Sequence, residues 1–323
     1  MLGRHGAESG YVQTPDGAVI NYKRFGHSPD VLAFCNGLGG TYRTFADLFA
    51  ELLPRYSVLV YDYRGMFESA LAGNPPSTGI ETHARDLLAV LDHVGVAQAP
   101  IFGWSMGVQV ALEAVRIEPG RFSAVVLSSG VASRVLDTAL HPRLAPLLPA
   151  AVDLAGRLDH AWMQAAAGAI RSPLVRRAAR RLGLVGDNGE IPIEHVAWAL
   201  DEHDRRFWGL LAELHAHDAS RCLAAVRVPT LVVHGERDKL TPLSRGLDLR
   251  RAIPGAQLWV VPDGTHAVVV ERPQDIASRM LRFLDAVPPS RPSATRRSRA
   301  TTATSPAPRR SRVGTARPRR GST

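Results

Sequence analysis

Residues 100–117 read Pro-Ile-Phe-Gly-Trp-Ser-Met-Gly-Val-Gln-Val-Ala-Leu-Glu-Ala-Val-Arg-Ile. The apolar run Pro100 to Phe102 is strand-like, Val108 to Ile117 is helical, and between them lies G-x-S-x-G at Gly103, Ser105 and Gly107. Alone, that pattern is a common glycine turn. With a strand before it and a helix after it, the pattern is a nucleophile elbow, in which a strained backbone holds a serine at the tip of a sharp turn. The two glycines suit a turn that brings neighbouring backbone too close for side chains. Ser105 then projects from the turn. The Met106 amide and the helix N-terminus lie beside it, placed to stabilise negative charge.

A serine hydroxyl is a poor nucleophile without a base, and the base needs an acid to orient it. Both follow downstream, in the order Ser, Asp, His that accompanies this elbow. Thr230 to Gly235 reads as a buried strand, and the loop after it carries Glu236 and Asp238. Val260 and Val261 end another strand, followed by Asp263-Gly264-Thr265-His266. Asp238 and His266 therefore sit just past C-terminal strand ends, the edge where open α/β sheets place ligands. Glu236, in the same loop as Asp238, is the rival acid.

These motifs together resemble those of the α/β-hydrolases, over about residues 10–130 and 224–287. The likeness includes G-x-x-D-x-x-x-P at Gly235, Asp238 and Pro242, and the Gly264-Thr265-His266 turn. It also includes Asn36-Gly37-Leu38-Gly39-Gly40 after the strand Val31 to Cys35. Family members usually begin that last stretch with His-Gly, and the following residue lends its backbone amide to the oxyanion hole. The resemblance thus implies Leu38 as one donor and Met106 as the other, with Asn36 in place of the usual histidine. A second departure lies at Asp62-Tyr63-Arg64-Gly65-Met66-Phe67-Glu68-Ser69, where the family shows D-x-R-G-x-G-x-S and this chain has Phe67 at the second glycine. That change puts the shape of the pocket in question more than the chemistry. Asp62 and Arg64 read as structural.

The rest of the chain alternates strands and helices, the pattern of a mostly parallel sheet covered on both faces. An opening hairpin (Tyr11 to Thr14, Ala18 to Phe25) precedes strands beginning near Val31, Val58, Ile101, Ala124, Thr230 and Gln257, eight in all. The stripe Phe45, Leu48, Phe49, Leu52, Leu53 predicts an amphipathic helix on the sheet. From residue 131 to about residue 223 the alternation stops and helices broken by prolines take over. The resemblance implies a helical cap at this point, inserted into a core of residues 1–130 and 224–287. Leu144, Leu147, Leu148, Val152, Leu154, Trp162, Met163 and Ile170 either line an apolar pocket or pack within the cap, and internal packing is the expectation for most. Arg176, Arg177, Arg180 and Arg181 form a basic helical face, read as solvated.

Composition excludes several other classes. The net charge of +9 is misleading until divided. Residues 288–323 hold ten arginines and no acidic residue, which leaves about −1 on everything before them. That tail is rich in Pro, Ser, Thr and Ala and is expected to be disordered. It has no aromatic residue for base stacking, so no specific nucleic-acid partner is expected. Two cysteines, Cys35 and Cys222, make no disulfide framework. No apolar h-region opens the chain and no apolar run reaches the roughly 18 residues that span a bilayer, so cytoplasmic residence is the default expectation. His195, His203, His215 and His217 have no compact set of carboxylates or cysteines to complete a metal site, and no nucleotide-binding glycine motif is present, so no cofactor or metal is expected.

The expectation is therefore a serine hydrolase that cleaves a small, apolar carboxylic ester or related acyl bond. Ser105 is its nucleophile, His266 its base, Asp238 its acid, and Leu38 and Met106 its oxyanion donors. Acyl transfer, perhydrolysis, lactone hydrolysis and C–C bond hydrolysis use the same triad. A non-catalytic small-ligand receptor on the same scaffold is the alternative from another class.

Overall fold

The computed structural model describes residues 7–69, 77–137, 143, 145–158, 160–181, 194, 197 and 206–288. The hairpin of β1 (Ala7–Gln13) and β2 (Val19–Phe25) is antiparallel. Its turn holds Gly17 at φ 87°, a left-handed conformation that glycine adopts freely. The strands β3 (Val31–Cys35), β4 (Ser57–Tyr61), β5 (Ala99–Trp104), β6 (Phe122–Ser128), β7 (Thr230–Gly235) and β8 (Gln257–Val261) complete one eight-stranded sheet. The order is β1-β2-β4-β3-β5-β6-β7-β8, and every pair beyond β2 and β4 is parallel. All residues of β3, β4 and β7 are buried, as near-continuous runs of Val, Leu and Phe require of a sheet covered on both faces.

Two hydrophobic layers flank the sheet. One face packs against α2 (Ile80–His93) and α3 (Met106–Ile117) through Leu87, Leu91, Val108 and Leu112. The other packs against α1 (Ala46–Leu52) and the long C-terminal helix (Pro273–Asp285) through Phe49, Leu52, Met280 and Phe283. Chain order reverses between β3 and β5, so the loops leaving these two strands flank the switch point at which such sheets bind ligands.

Between β6 and β7 the described residues contain helices and a single isolated bridge, Ser133 to Asp218. The helices are α4 (Leu148–Gly156), α5 (His160–Arg171), α6 (Pro173–Arg181) and α7 (206–216). The segment leaves and returns side by side: Ala219 N donates to Ala132 O at 2.9 Å, and Leu136 N donates to His215 Nδ1 at 3.3 Å. Val152 is buried and Ile170 packs on the core, but Leu147, Leu154 and Trp162 are 63–64% exposed, contrary to the internal packing expected of them. The inward seats of α5 go instead to Ala167 and Ile170. Arg176 pairs with Glu194, while Arg177, Arg180 and Arg181 are exposed.

Two more helices lie beyond β7, α8 (Leu243–Ala252) and the short α9 (Val268–Glu271), so the C-terminal helix is α10. The sequence pattern does not announce α8, because its only buried residues are Gly246 and Leu249. Gly246 packs directly on His234, and a Cβ there would lie 2.7 Å from its Nδ1. The arginine-rich segment, from residue 289 on, lies outside the described residues. No described helix is long and apolar enough to cross a membrane.

Candidate active site

The turn from β5 into α3 places Ser105 at φ 56°, ψ −116°, a conformation that L-residues occupy only under constraint. The constraints are visible. Ser105 N donates to Ser128 O on β6 at 3.0 Å. A Cβ on Gly103 would lie 2.3 Å from Gly107 O, and one on Gly107 would lie 2.2 Å from Cys35 O. No backbone shift of a few tenths of an ångström relieves such contacts, so both positions require glycine. Gly130 is a third, which the pentapeptide does not reveal; its Cβ would meet Val108 at 2.4 Å and Ser105 O at 2.7 Å.

His266 is buried in the loop after β8, where Gly264 N returns to Val261 O at 3.2 Å. Glu271 accepts from both Thr265 N, at 3.0 Å, and the Thr265 hydroxyl, and Trp104 Nε1 donates to His266 O at 3.1 Å. The residue beside the serine thereby holds the backbone of the histidine. The ring faces the elbow with Nε2 3.0 Å from Ser105 Oγ, and Nδ1 lies 3.0 Å from Asp238 Oδ2. A carboxylate only accepts, so Nδ1 carries the proton and Nε2 is left to accept from the serine hydroxyl.

Asp238 is almost wholly buried and fully bonded. Oδ1 accepts from Leu240 N at 2.9 Å and Thr241 N at 2.8 Å, and Oδ2 accepts from Thr241 Oγ1 at 2.7 Å. Burial alone would raise its pKa, but His266, His234 and the Thr241 amide together hold the carboxyl below its ordinary value. Behind it lies His234, fully buried, which donates from Nε2 to Thr241 O at 2.5 Å and so pins the loop that cradles Asp238. Burial pushes the His234 pKa down. The rival acid, Glu236, is exposed and accepts from Asp263 N at 3.0 Å. Of the two carboxylates in the loop, the structure brings Asp238 to His266.

The loop after β3 lies against the elbow. A Cβ on Gly37 would lie 2.6 Å from the Trp104 ring and 3.3 Å from Ser105 Cβ. Gly40 N closes a turn on Gly37 O at 3.0 Å, with Gly39 at φ 71° and Leu38 between them. Met106 is the first residue of α3, where an N–H has no acceptor within the helix. Asn36 is buried and donates from Nδ2 to Tyr61 O at 3.3 Å.

Phe67 stands at φ 50°, so the position where the resemblance has glycine takes a left-handed backbone here without one. The strain is on the order of 1–2 kcal/mol. Nearby, Arg64 is buried and joins two carboxylates, with Nε and Nη2 2.7 Å from the Asp86 oxygens and Nη2 2.9 Å from Asp16 Oδ1. Asp62 accepts from Glu68 N at 3.3 Å, and burial pushes its pKa up to about 6. Both make their bonds within the fold, to Asp16, Asp86 and Glu68.

No group of three or more potential metal ligands occurs among the described residues. His217 contacts Gln109 Oε1 at 2.7 Å and Glu113 Oε1 at 3.0 Å, which ties the end of the segment between β6 and β7 to α3. His195 and His203 lie outside the described residues. Sequence reasoning did not single out Thr241, Trp104, Glu271 or His234. Only Thr241 leaves a local trace, because an aspartate in a loop readily accepts from backbone amides just after it, as Asp238 does from Leu240 N and Thr241 N.

A serine on a strand–turn–helix elbow, joined to a histidine and an aspartate on loops after two later strands of an open parallel sheet, defines an α/β-hydrolase scaffold. The chain belongs to the alpha/beta hydrolase family, whose model matches residues 32–279. It is 30% identical over 261 residues to the protein named "Putative carbamate hydrolase RutD" of Pseudomonas savastanoi, covering 79% of this chain and 94% of that one. It is 27% identical over 270 residues to 3-oxoadipate enol-lactonase 2 of Acinetobacter baylyi, covering 81% and 91%. Among solved structures it is similar to a hydrolase from Pseudomonas aeruginosa, with a TM-score of 0.64, 26% identity and coverage of 86% and 99%. The enol-lactonase of Burkholderia xenovorans shares the fold at 22% identity, with a TM-score of 0.67 and coverage of 85% and 100%.

Proposed function

We propose that the protein is a serine hydrolase that cleaves a small carboxylic ester or related acyl bond through an acyl-enzyme. The observation that carries this reading is the unbroken hydrogen-bonded relay from Ser105 Oγ through His266 to Asp238. In the reaction Ser105 Oγ attacks the substrate carbonyl as its proton passes to His266 Nε2. Asp238 stabilises the imidazolium that results. The amides of Leu38 and Met106 stabilise the oxyanion, each at a position where charge develops only in the transition state. His266 then returns the proton to the departing alkoxide, which leaves as the alcohol. Water attacks the acyl-enzyme with His266 as base, releasing the acid and restoring Ser105. The helices between β6 and β7 cap the site and set which acyl groups enter.

The names of the relatives guide the choice of substrates beyond simple esters. One is called a carbamate hydrolase and another an enol-lactonase, and both bonds present a carbonyl that the same relay can attack. The test is labelling with a fluorophosphonate, followed by turnover of p-nitrophenyl esters of rising chain length, a phenyl carbamate and a small lactone. Wild type labels at Ser105, and Ser105→Ala loses labelling and about 10⁴–10⁶ in kcat. Undiminished turnover by Ser105→Ala refutes the mechanism.

A further inference from the structure

We infer that Tyr63 is a positioning residue for the oxyanion-binding amide of Leu38, holding from the main chain a loop that the side chain of Asn36 leaves under-restrained. The inference rests on the serine-hydrolase reading above and adds to it a residue outside the triad and the amides.

The Leu38 N–H belongs to the same planar peptide as Gly37 O, and in a trans peptide the two point in opposite directions. Gly40 N fixes that carbonyl from one side. The peptide before it, Asn36–Gly37, is joined to it through Gly37, the residue type with the least torsional restraint. Gly37 cannot gain restraint from a side chain, because a Cβ there would strike the Trp104 ring. The Asn36 carbonyl is thus the anchor on one side of a glycine hinge and the Gly40 bond the anchor on the other, and together they set where the loop points the Leu38 amide.

Two groups surround that carbonyl. The Gly107 backbone lies close to it on the elbow side, where a Cβ would come within 2.8 Å of Asn36 O. Tyr63 Oη donates to it at 2.6 Å. The Asn36 side chain contributes less, since Nδ2 makes a 3.3 Å bond to Tyr61 O and Oδ1 is buried without a hydrogen-bond partner. Tyr63 suits the task because it cannot swing. It is 4% exposed, and its ring packs 4.7 Å from the His83 ring and 5.4 Å from the Tyr61 ring at 89°. Burial also raises its pKa well above the ordinary phenol range, which keeps the hydroxyl a neutral donor.

The experiment compares Tyr63→Phe with Tyr61→Phe. Tyr61 is an equally buried phenol whose hydroxyl donates to His83 O at 2.8 Å and meets the Cys35 thiol, whereas the Asn36 carbonyl is served by Tyr63. Each is assayed for kcat and KM on a short p-nitrophenyl ester and for inhibition by a trifluoromethyl ketone, which forms a reversible tetrahedral adduct. Rates are referred to sites titrated with a fluorophosphonate, so that loss of folded protein does not enter kcat. Tyr63→Phe is expected to lower kcat on the order of ten-fold, short of the roughly 10²–10³ for deleting an oxyanion donor. KM should stay within about two-fold, and the inhibition constant for the ketone should rise in step with the loss in kcat. Tyr61→Phe should lower the melting temperature by a similar amount and leave kcat and the ketone affinity unchanged. If kcat and ketone affinity in Tyr63→Phe stay within about two-fold of wild type, or if Tyr61→Phe loses as much, the inference is overturned. A wild-type chain that neither labels nor turns over ester defeats the serine-hydrolase reading itself, a different outcome from either.

Discussion

Asp238→Asn tests the relay at the point where the structure dictates the result. Oδ1 of Asp238 accepts from two backbone amides, Leu240 N at 2.9 Å and Thr241 N at 2.8 Å. An asparagine must keep its carbonyl oxygen there, because turning its NH₂ toward two N–H donors would leave all of them unpaired. The NH₂ then occupies the Oδ2 position, 2.7 Å from Thr241 Oγ1 and 3.0 Å from His266 Nδ1. The threonine hydroxyl can rotate and accept. The imidazole can accept at Nδ1 only by moving its proton to Nε2, which faces Ser105 Oγ at 3.0 Å. In that tautomer His266 cannot take the serine proton. The expected loss is about 10⁴-fold in kcat, the size seen when other triads are forced into the wrong tautomer. At 1.36 kcal/mol per factor of ten, this is about 5 kcal/mol of transition-state stabilisation. KM should change little. Glu236→Gln should retain kcat within about two-fold, because Glu236 is exposed and accepts from the Asp263 amide, not from His266. The assay is steady-state turnover of a p-nitrophenyl ester at saturating substrate, with melting curves to establish that both variants are folded. A folded Asp238→Asn within ten-fold of wild type, or a larger loss in Glu236→Gln, refutes the reasoning.

Two further outcomes follow from other parts of the chain. The folded-state pKa of Asp62 is pushed up to about 6 by burial, above its ordinary 3.8, so between about pH 4 and pH 6 the folded state keeps a proton that the unfolded state has lost. Stability linked to this group therefore falls as pH rises through that window, and Asp62→Asn should gain on wild type across it and hold a constant difference above it. Urea midpoints at half-unit pH steps measure this, and a difference that is flat from pH 4 to pH 7 contradicts it. Truncation after Val287 removes all ten arginines of the C-terminal segment. It should leave kcat/KM on a soluble ester and the melting temperature nearly unchanged while abolishing any salt-sensitive retention on heparin. Loss of activity, or a melting temperature many degrees lower, shows instead that the segment docks on the fold.

The parts of this molecule that were legible in the sequence are those in which one local requirement admits few residue types. Strands β3 and β7 are buried on both faces and must be unbroken apolar runs. Gly103 and Gly107 face backbone at van der Waals overlap, and only one residue lacks the atom that would collide. Asp238 and His266 each follow a strand end, and the chain order of the three groups matches the elbow. What was not legible depends on contacts between distant segments. The bond from Trp104 Nε1 to His266 O spans 162 positions, and nothing near either residue signals it. Helix α8 hides because a glycine, wedged on His234, occupies the seat where an apolar residue would have marked a buried face. Phe67 departs visibly from the family's glycine, but nothing in the sequence around it announces that its backbone takes a left-handed conformation.

The segment between β6 and β7 was hard to read for the opposite reason. Its apolar residues do not all point inward: Leu147, Leu154 and Trp162 are largely solvent-facing, while the small Ala167 is fully buried. Periodicity detects a helix there but does not identify the face that is buried, because bulk and burial are uncoupled. Asn36 belongs to the same class of problem. Its departure from the usual histidine is visible in the sequence, but whether the loop is slack or held by another group depends on a tyrosine 27 positions away. A substitution in one strand-end loop can be offset by a hydroxyl from the loop after the neighbouring strand, since β3 and β4 are paired in register and deliver Asn36 and Tyr63 to the same edge. Motif matching residue by residue scores such a pair as one loss and one unremarkable tyrosine, although together they supply a single restraint.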